Sequence, residues 1–134
     1  MRVGVLVNPG VVWAEADEPL AEIARRMREH RVGALPVRDG DRLLGIVTEQ
    51  DVVQAVADGV ATTALTGERM SREPAVVSPS EDCAEVALRM LELGVRHLVV
   101  VELDAVVGMV SARDLLMLGA WPGGVPPVAP AAAP

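Results

Sequence analysis

Two hydroxyl–carboxylate pairs, Thr48 with Asp51 and Ser111 with Asp114, are the side chains best placed to do chemistry in this chain. Each closes a heptad of one pattern, GIVTEQD from Gly45 to Asp51 and GMVSARD from Gly108 to Asp114. The apolar start of the heptad reads as the end of a strand, and its polar end as the start of a helix. A Thr or Ser at a helix start lies beside unpaired backbone N–H groups and the positive end of the helix dipole. That place suits a phosphate. An Asp three residues on is one turn further along the same side, and its two acceptor oxygens match a vicinal diol such as that of ribose. The same spacing is also that of a capping box, with Asp in place of the usual Glu or Gln, so a structural reading stands beside the binding one. Gly45 and Gly108 lack a Cβ, which lets either a ligand or a neighbouring strand come close.

Other reactive residue types offer less. His30 ends a charged helical stretch with Arg28, Glu29 and Arg31 and reads as part of a solvated face. Met27 and Met90 fall on an apolar stripe, and Cys83, the one cysteine, takes the place of Leu20 as a small buried hydrophobe. No Ser/His/Asp triad, paired acid–base carboxylates, phosphate-cradling Gly loop or zinc-type Cys/His spacing presents itself, so the expectation is a protein that is not an enzyme, without metal or cofactor. A net charge of −7 argues against nucleic-acid or anionic-membrane partners, which need clustered Lys and Arg. No apolar run reaches the length of a membrane span, and no secretory pattern opens the chain, so a reducing, cytoplasmic setting is expected.

The heptads belong to a larger repeat. Residues 20–53 and 83–116 superimpose at a constant shift of 63 without a gap, with 13 of 34 positions identical. A fixed period means two copies of one supersecondary unit. In each copy Leu20, Ile23, Ala24 and Met27, or Cys83, Val86, Ala87 and Met90, mark one helical face. Asp17 and Ser80 are the expected N-caps, and the helices should end near Arg31 and Gly94. Two short apolar runs follow, Ala34–Val37 with Leu43–Val47 and Leu98–Val101 with Val106–Val110. Asp39-Gly40-Asp41 is a good hairpin turn, whereas Glu102-Leu103-Asp104 lacks a Gly. Second helices are expected over Glu49–Asp58 and Ala112–Leu118, stopped by Gly59 and Gly119. With lead-in segments at Gly10–Ala14 and Ala75–Ser78, the unit is strand–helix–strand–strand–helix, twice. The core must be built from Val, Leu, Ala, Ile and Met, because the chain has no Phe or Tyr and two Trp, Trp13 and Trp121. The boundaries expected are repeat one over 1–59, a linker over 60–69, repeat two over 70–119 and a disordered Pro/Ala-rich tail over 120–134.

Taken together, the duplicated heptad, the Ala21-Glu22 and Ala84-Glu85 helices and the VGALPV segment at Val32–Val37 resemble a tandem pair of cystathionine-β-synthase (CBS) domains. The resemblance implies an α+β fold of two βαββα repeats packed sheet to sheet with pseudo-twofold symmetry. It also implies a stand-alone regulatory module, without catalysis, that binds an adenosine-containing ligand of the AMP, ATP or S-adenosylmethionine class between its repeats. Homodimerisation and an effector protein of unknown identity follow from the same likeness. In that family the first strand of a repeat often carries a Thr that helps bind the base; here Trp13 and Val76 stand in that place. Trp13 could stack on a purine or fill the base cleft. A His or Arg of one repeat commonly reaches the phosphate of a ligand held by the other. Arg96 and His97 match that role opposite Thr48 and Asp51, while Gly33 and Ala34 occupy the corresponding places in copy one. The Ser111/Asp114 site would then be poorer in charge, with Arg113 as its one candidate cation. The alternative is a ligand-free dimerisation or interaction module in which both pairs serve only as caps.

Overall fold

A computed structural model describes residues 1–7 and 10–119; the expected tail lies outside the described residues. Among the described residues, seven strands and five α-helices follow one another in a mixed α+β fold, as the repeat requires. The first copy holds β1 (Ala14–Glu15), α1 (Leu20–His30), β2 (Ala34–Asp39), β3 (Arg42–Thr48) and α2 (Glu49–Ala57). Then come α3 (Thr66–Arg69) and β4 (Ser71–Arg72). The second copy repeats the series as β5 (Val76–Val77), α4 (Cys83–Leu93), β6 (His97–Glu102), β7 (Ala105–Ser111) and α5 (Ala112–Met117). One sheet has the order β1-β2-β3-β4 and the other β5-β6-β7. In each, the lead-in strand runs parallel to the next, and the hairpin is antiparallel. Even the irregularity repeats: the register shifts between Val37 and Arg38 and, 63 residues on, between Val100 and Val101.

The chain divides into two compact units whose limits differ from the boundaries expected along the sequence. Val12–Pro74 forms one; Met1–Val11 joins the residues from Ala75 onward in the other. Hydrogen bonds to each copy's lead-in explain the exchange. Thr66 N–H donates to Glu18 O at 2.8 Å, Gly67 N–H to Ala16 O at 2.9 Å and Leu20 N–H to Ala64 O at 3.2 Å. Their counterparts at the shift of 63 are Val3 N–H to Glu81 O, Gly4 N–H to Pro79 O and Cys83 N–H to Met1 O, at 2.9, 2.9 and 2.8 Å. Residues 60–69 are therefore a packed part of the first unit, with Val60, Ala61 and Ala64 against its core.

Those same bonds move the helix starts. Pro19, not Asp17, is the N-cap of α1, and no side chain caps it. Ala64 O and Ala61 O accept the Leu20 and Ala21 N–H groups instead, which removes the need for one. Asp82, not Ser80, caps α4 by accepting from Ala84 N–H at 3.1 Å. The helix ends fall where expected, at Arg31 and Gly94, both left-handed with φ of 55° and 67°. The hairpin without glycine closes in two residues, Leu103 and Asp104, which both take positive φ (50° and 64°), the turn that matches strand twist.

Each unit has an aliphatic core. Leu20, Ile23, Met27, Leu35, Val37, Val47 and Ala55 are buried together in one. Val86, Met90, Leu98, Val100, Val110 and Leu115 fill the other, and Val3 of the exchanged lead-in is buried with them. Among the described residues, no helix is long and apolar enough to cross a membrane.

Candidate functional site

Both heptads turn from strand to helix at the residue pair that defines them. Thr48 ends β3 and is the N-cap of α2; Ser111 ends β7 and is the N-cap of α5. Both close as capping boxes, the N-cap side chain facing the Asp N–H and the Asp carboxylate facing the N-cap N–H. In the second copy the exchange is reciprocal: Ser111 N–H donates to Asp114 Oδ2 at 3.0 Å, and Asp114 N–H donates to Ser111 Oγ at 3.1 Å. In the first copy Thr48 sends both its donors to one oxygen. Its N–H reaches Asp51 Oδ2 at 2.8 Å and its hydroxyl reaches the same atom at 3.2 Å. In both copies the N-cap bond falls on Oδ2 of the Asp.

Burial pushes the Asp51 carboxyl above its ordinary range, and the two Thr48 bonds pull against that without prevailing. Such a balance disfavours the charged form, as expected for a half-buried carboxylate. Glu18 shows the opposite case. Arg26 grips it with two bonds of 2.6 and 2.7 Å and holds it below the usual carboxylate range, while Glu18 raises Arg26 in turn.

Arg26 and Glu18 are residues whose role was missed from sequence. Arg26 Nη1 also donates to Trp13 O at 2.8 Å, so the pair pins the lead-in just before β1. At the shift of 63, Arg89 donates to Val76 O at 2.9 Å and lies 3.8 Å from Glu81. The signal was present, since Arg and Glu are identical in both copies, but nothing local tells a helix-surface arginine from a carbonyl latch.

Trp13 is half-buried. The Arg38 guanidinium carbon stands 4.8 Å above its ring centroid, and Arg38 Nε donates to Glu15 Oε2 at 2.7 Å. Arg96 is exposed just before β6, His97 opens that strand half-buried, and Arg113 is exposed on α5. Thr48, Asp51 and Trp13 thus share one unit, and Arg96, His97, Ser111, Arg113 and Asp114 the other. The two glycines serve neighbouring chain segments: a Cβ on Gly45 would collide with Ser71 O of β4, and one on Gly108 with the Val7 side chain.

The family model for the CBS domain matches twice, over residues 3–58 and 66–120. The chain belongs to the CBS-domain family. Hypoxic response protein 1 of Mycobacterium tuberculosis is 33% identical over 113 residues, covering 82% of this chain and 79% of that protein. By contrast, the chain spans 41% of an uncharacterized protein of Methanocaldococcus jannaschii to which it is 26% identical. A CBS domain pair solved in complex with 5′-methylthioadenosine and S-adenosyl-L-methionine superimposes with a TM-score of 0.81 at 26% identity, covering 89% of this chain and 95% of that one. A CBS domain protein from Pyrobaculum aerophilum, complexed with AMP, gives 0.76 at 26% identity over 86% and 90%. A solved structure of Hypoxic Response Protein I holds two coordinated zinc ions, at a TM-score of 0.75 and 32% identity over 87% of this chain and 98% of that one. In this CBS pair no group of three His, Cys, Asp or Glu that could hold a metal occurs among the described residues.

Proposed function

We propose that this CBS pair is a regulatory module that binds an adenosine-containing ligand of the AMP, ATP or S-adenosylmethionine class through its Thr48/Asp51 and Ser111/Asp114 corners. The observation that carries this reading is the division of labour within each carboxylate. Oδ2 closes the helix cap, and Oδ1 would be the atom that accepts a ribose hydroxyl, so the helix start need not be unmade. The helix dipole of α2 adds a positive end suited to phosphate. The family likeness assigns phosphate contact to Arg96 and His97. The Ser111/Asp114 corner, with only Arg113 nearby in sequence, takes an uncharged adenosyl group. Two solved relatives that carry AMP or S-adenosylmethionine support the ligand class.

Binding would shift the population of conformations, and a second copy of this chain or an effector protein would sense the change. The exposed Leu88, Leu91, Leu116 and Met117 on α4 and α5 offer the surface for a second copy. A titration tests the whole reading. AMP, ATP or S-adenosylmethionine at saturating concentration should raise the melting temperature by mass action, and sedimentation of the same samples should give a dimer mass. Asp51→Ala should abolish the AMP shift, and His97→Ala should weaken AMP far more than adenosine. No shift with any of these ligands would leave the interaction-module reading, which the completed caps also satisfy.

A further inference from the structure

Trp13, Arg38 and Glu15 form an arrangement that the second repeat lacks, since Val76, Val101 and Ser78 stand at the corresponding positions. Ala14 is wholly buried in the core, so strand alternation puts Trp13 and Glu15 on the other face of the sheet. There the Arg38 guanidinium stands over the indole, within cation–π distance, and is itself fixed by the 2.7 Å bond to Glu15. The Arg38 and Glu15 side chains remain 36% and 39% exposed, so the stack lies open and not sealed in the core. From below, Arg26 holds the Trp13 carbonyl. Ring and backbone are thus braced by two separate Arg–Glu pairs.

Register places this stack at the heptad's end of the sheet. Ala14 pairs with Val37 in parallel, which sets Trp13 level with Pro36, and Thr48 pairs with Ala34. Trp13 and Thr48 are therefore about 7 Å apart along the strands and about 10 Å apart across two strand spacings. A nucleoside monophosphate spans such a distance, with its sugar at Asp51.

We propose that Arg38, braced by Glu15, fixes Trp13 as a stacking platform, so that the first-repeat corner recognises the flat face of a purine ring and not its hydrogen-bonding edge. This rests on the ligand reading above and adds its selectivity: purine over pyrimidine, with little discrimination between adenine and guanine, because every purine presents a similar π-face. Arg38 is a positioning and specificity-determining residue that touches the ring on the side away from the ligand.

The test uses the full chain carrying Trp121→Phe, so that Trp13 is the fluorescent reporter, titrated with AMP, GMP, UMP and ribose 5-phosphate. AMP and GMP should bind within about threefold of one another and change Trp13 emission, and UMP should bind roughly tenfold more weakly. Arg38→Met should lower AMP and GMP affinity about threefold to fivefold and leave ribose 5-phosphate unchanged, with Arg38→Lys in between. Glu15→Gln should act in the same direction as Arg38→Met. A gain in purine affinity in Arg38→Met would overturn the proposal by making Arg38 a plug, and a strong preference for AMP over GMP would overturn it by showing edge recognition. Binding that requires Asp51 yet ignores both Trp13→Leu and Arg38→Met would sink this inference alone. Binding that persists in Asp51→Ala, or no binding of any ligand, would sink the ligand reading beneath it.

Discussion

At the scale of single residues, Asp51 and Glu18 are two carboxylates driven in opposite directions. Glu18 gains from Arg26, so the stability it adds is present above its unfolded-state value and is lost as pH falls through its lowered folded value. With both side chains partly exposed, that contribution is modest. Asp51 is raised in the folded chain by burial, so its ionisation costs stability. The cost is absent on the acid side of the unfolded value and complete once pH has risen past the folded one. Asp51→Asn keeps an oxygen for the Thr48 N–H and removes the ionisation. Its melting temperature should therefore gain on that of the parent chain as pH rises from ~3 to ~7, while ligand binding is lost. A difference that stays constant with pH would show that Asp51 carries no burial penalty.

At the scale of elements, the hairpins and the Gly-terminated helices were legible, because hydrophobic period and chain-reversing residues are local signals. The N-terminal caps were not. Asp17 and Ser80 have the right chemistry at the right offset, yet the first N–H groups of α1 and α4 are met by Ala64 O and Met1 O, far away in sequence. The role of the heptad glycines was legible only as a pair of alternatives. In both copies a neighbouring segment, not a ligand, comes close, but the obstacle differs: backbone beside Gly45, a side chain beside Gly108. Gly45→Ala should therefore cost about 1–3 kcal/mol by chemical denaturation, since a carbonyl cannot be trimmed away. Gly108→Ala should be destabilising alone but largely restored by Val7→Ala. Equal losses without rescue would show that both glycines are needed for backbone conformation instead.

At the scale of the whole molecule, the period of 63 announced two copies, and both are present as similar βαββα units. The exchange of lead-ins escaped the sequence because it rests on backbone hydrogen bonds, which carry no residue signature. Even so, Gly4 and Gly67 hinted at it. A Cβ on either would press on Pro79 or Ala16, and those two are themselves 63 apart. The division predicts how fragments behave. A peptide of residues 12–74 contains every segment of its unit and should show a cooperative unfolding transition with native-like helix content. A peptide of residues 1–59 lacks α3 and β4 and should not. Cooperative folding of the shorter peptide, read by circular dichroism against denaturant, would refute the assignment of Ala64–Arg72 to the first unit.

The hydrogen bond from Cys83 N–H to Met1 O also reverses the order in which the protein is made and completed. During synthesis Met1–Leu6 emerge before the surface that receives them, which is encoded some eighty positions later. They must wait, undocked, while the intervening Val12–Pro74 unit is made, until the α4 segment that receives them follows.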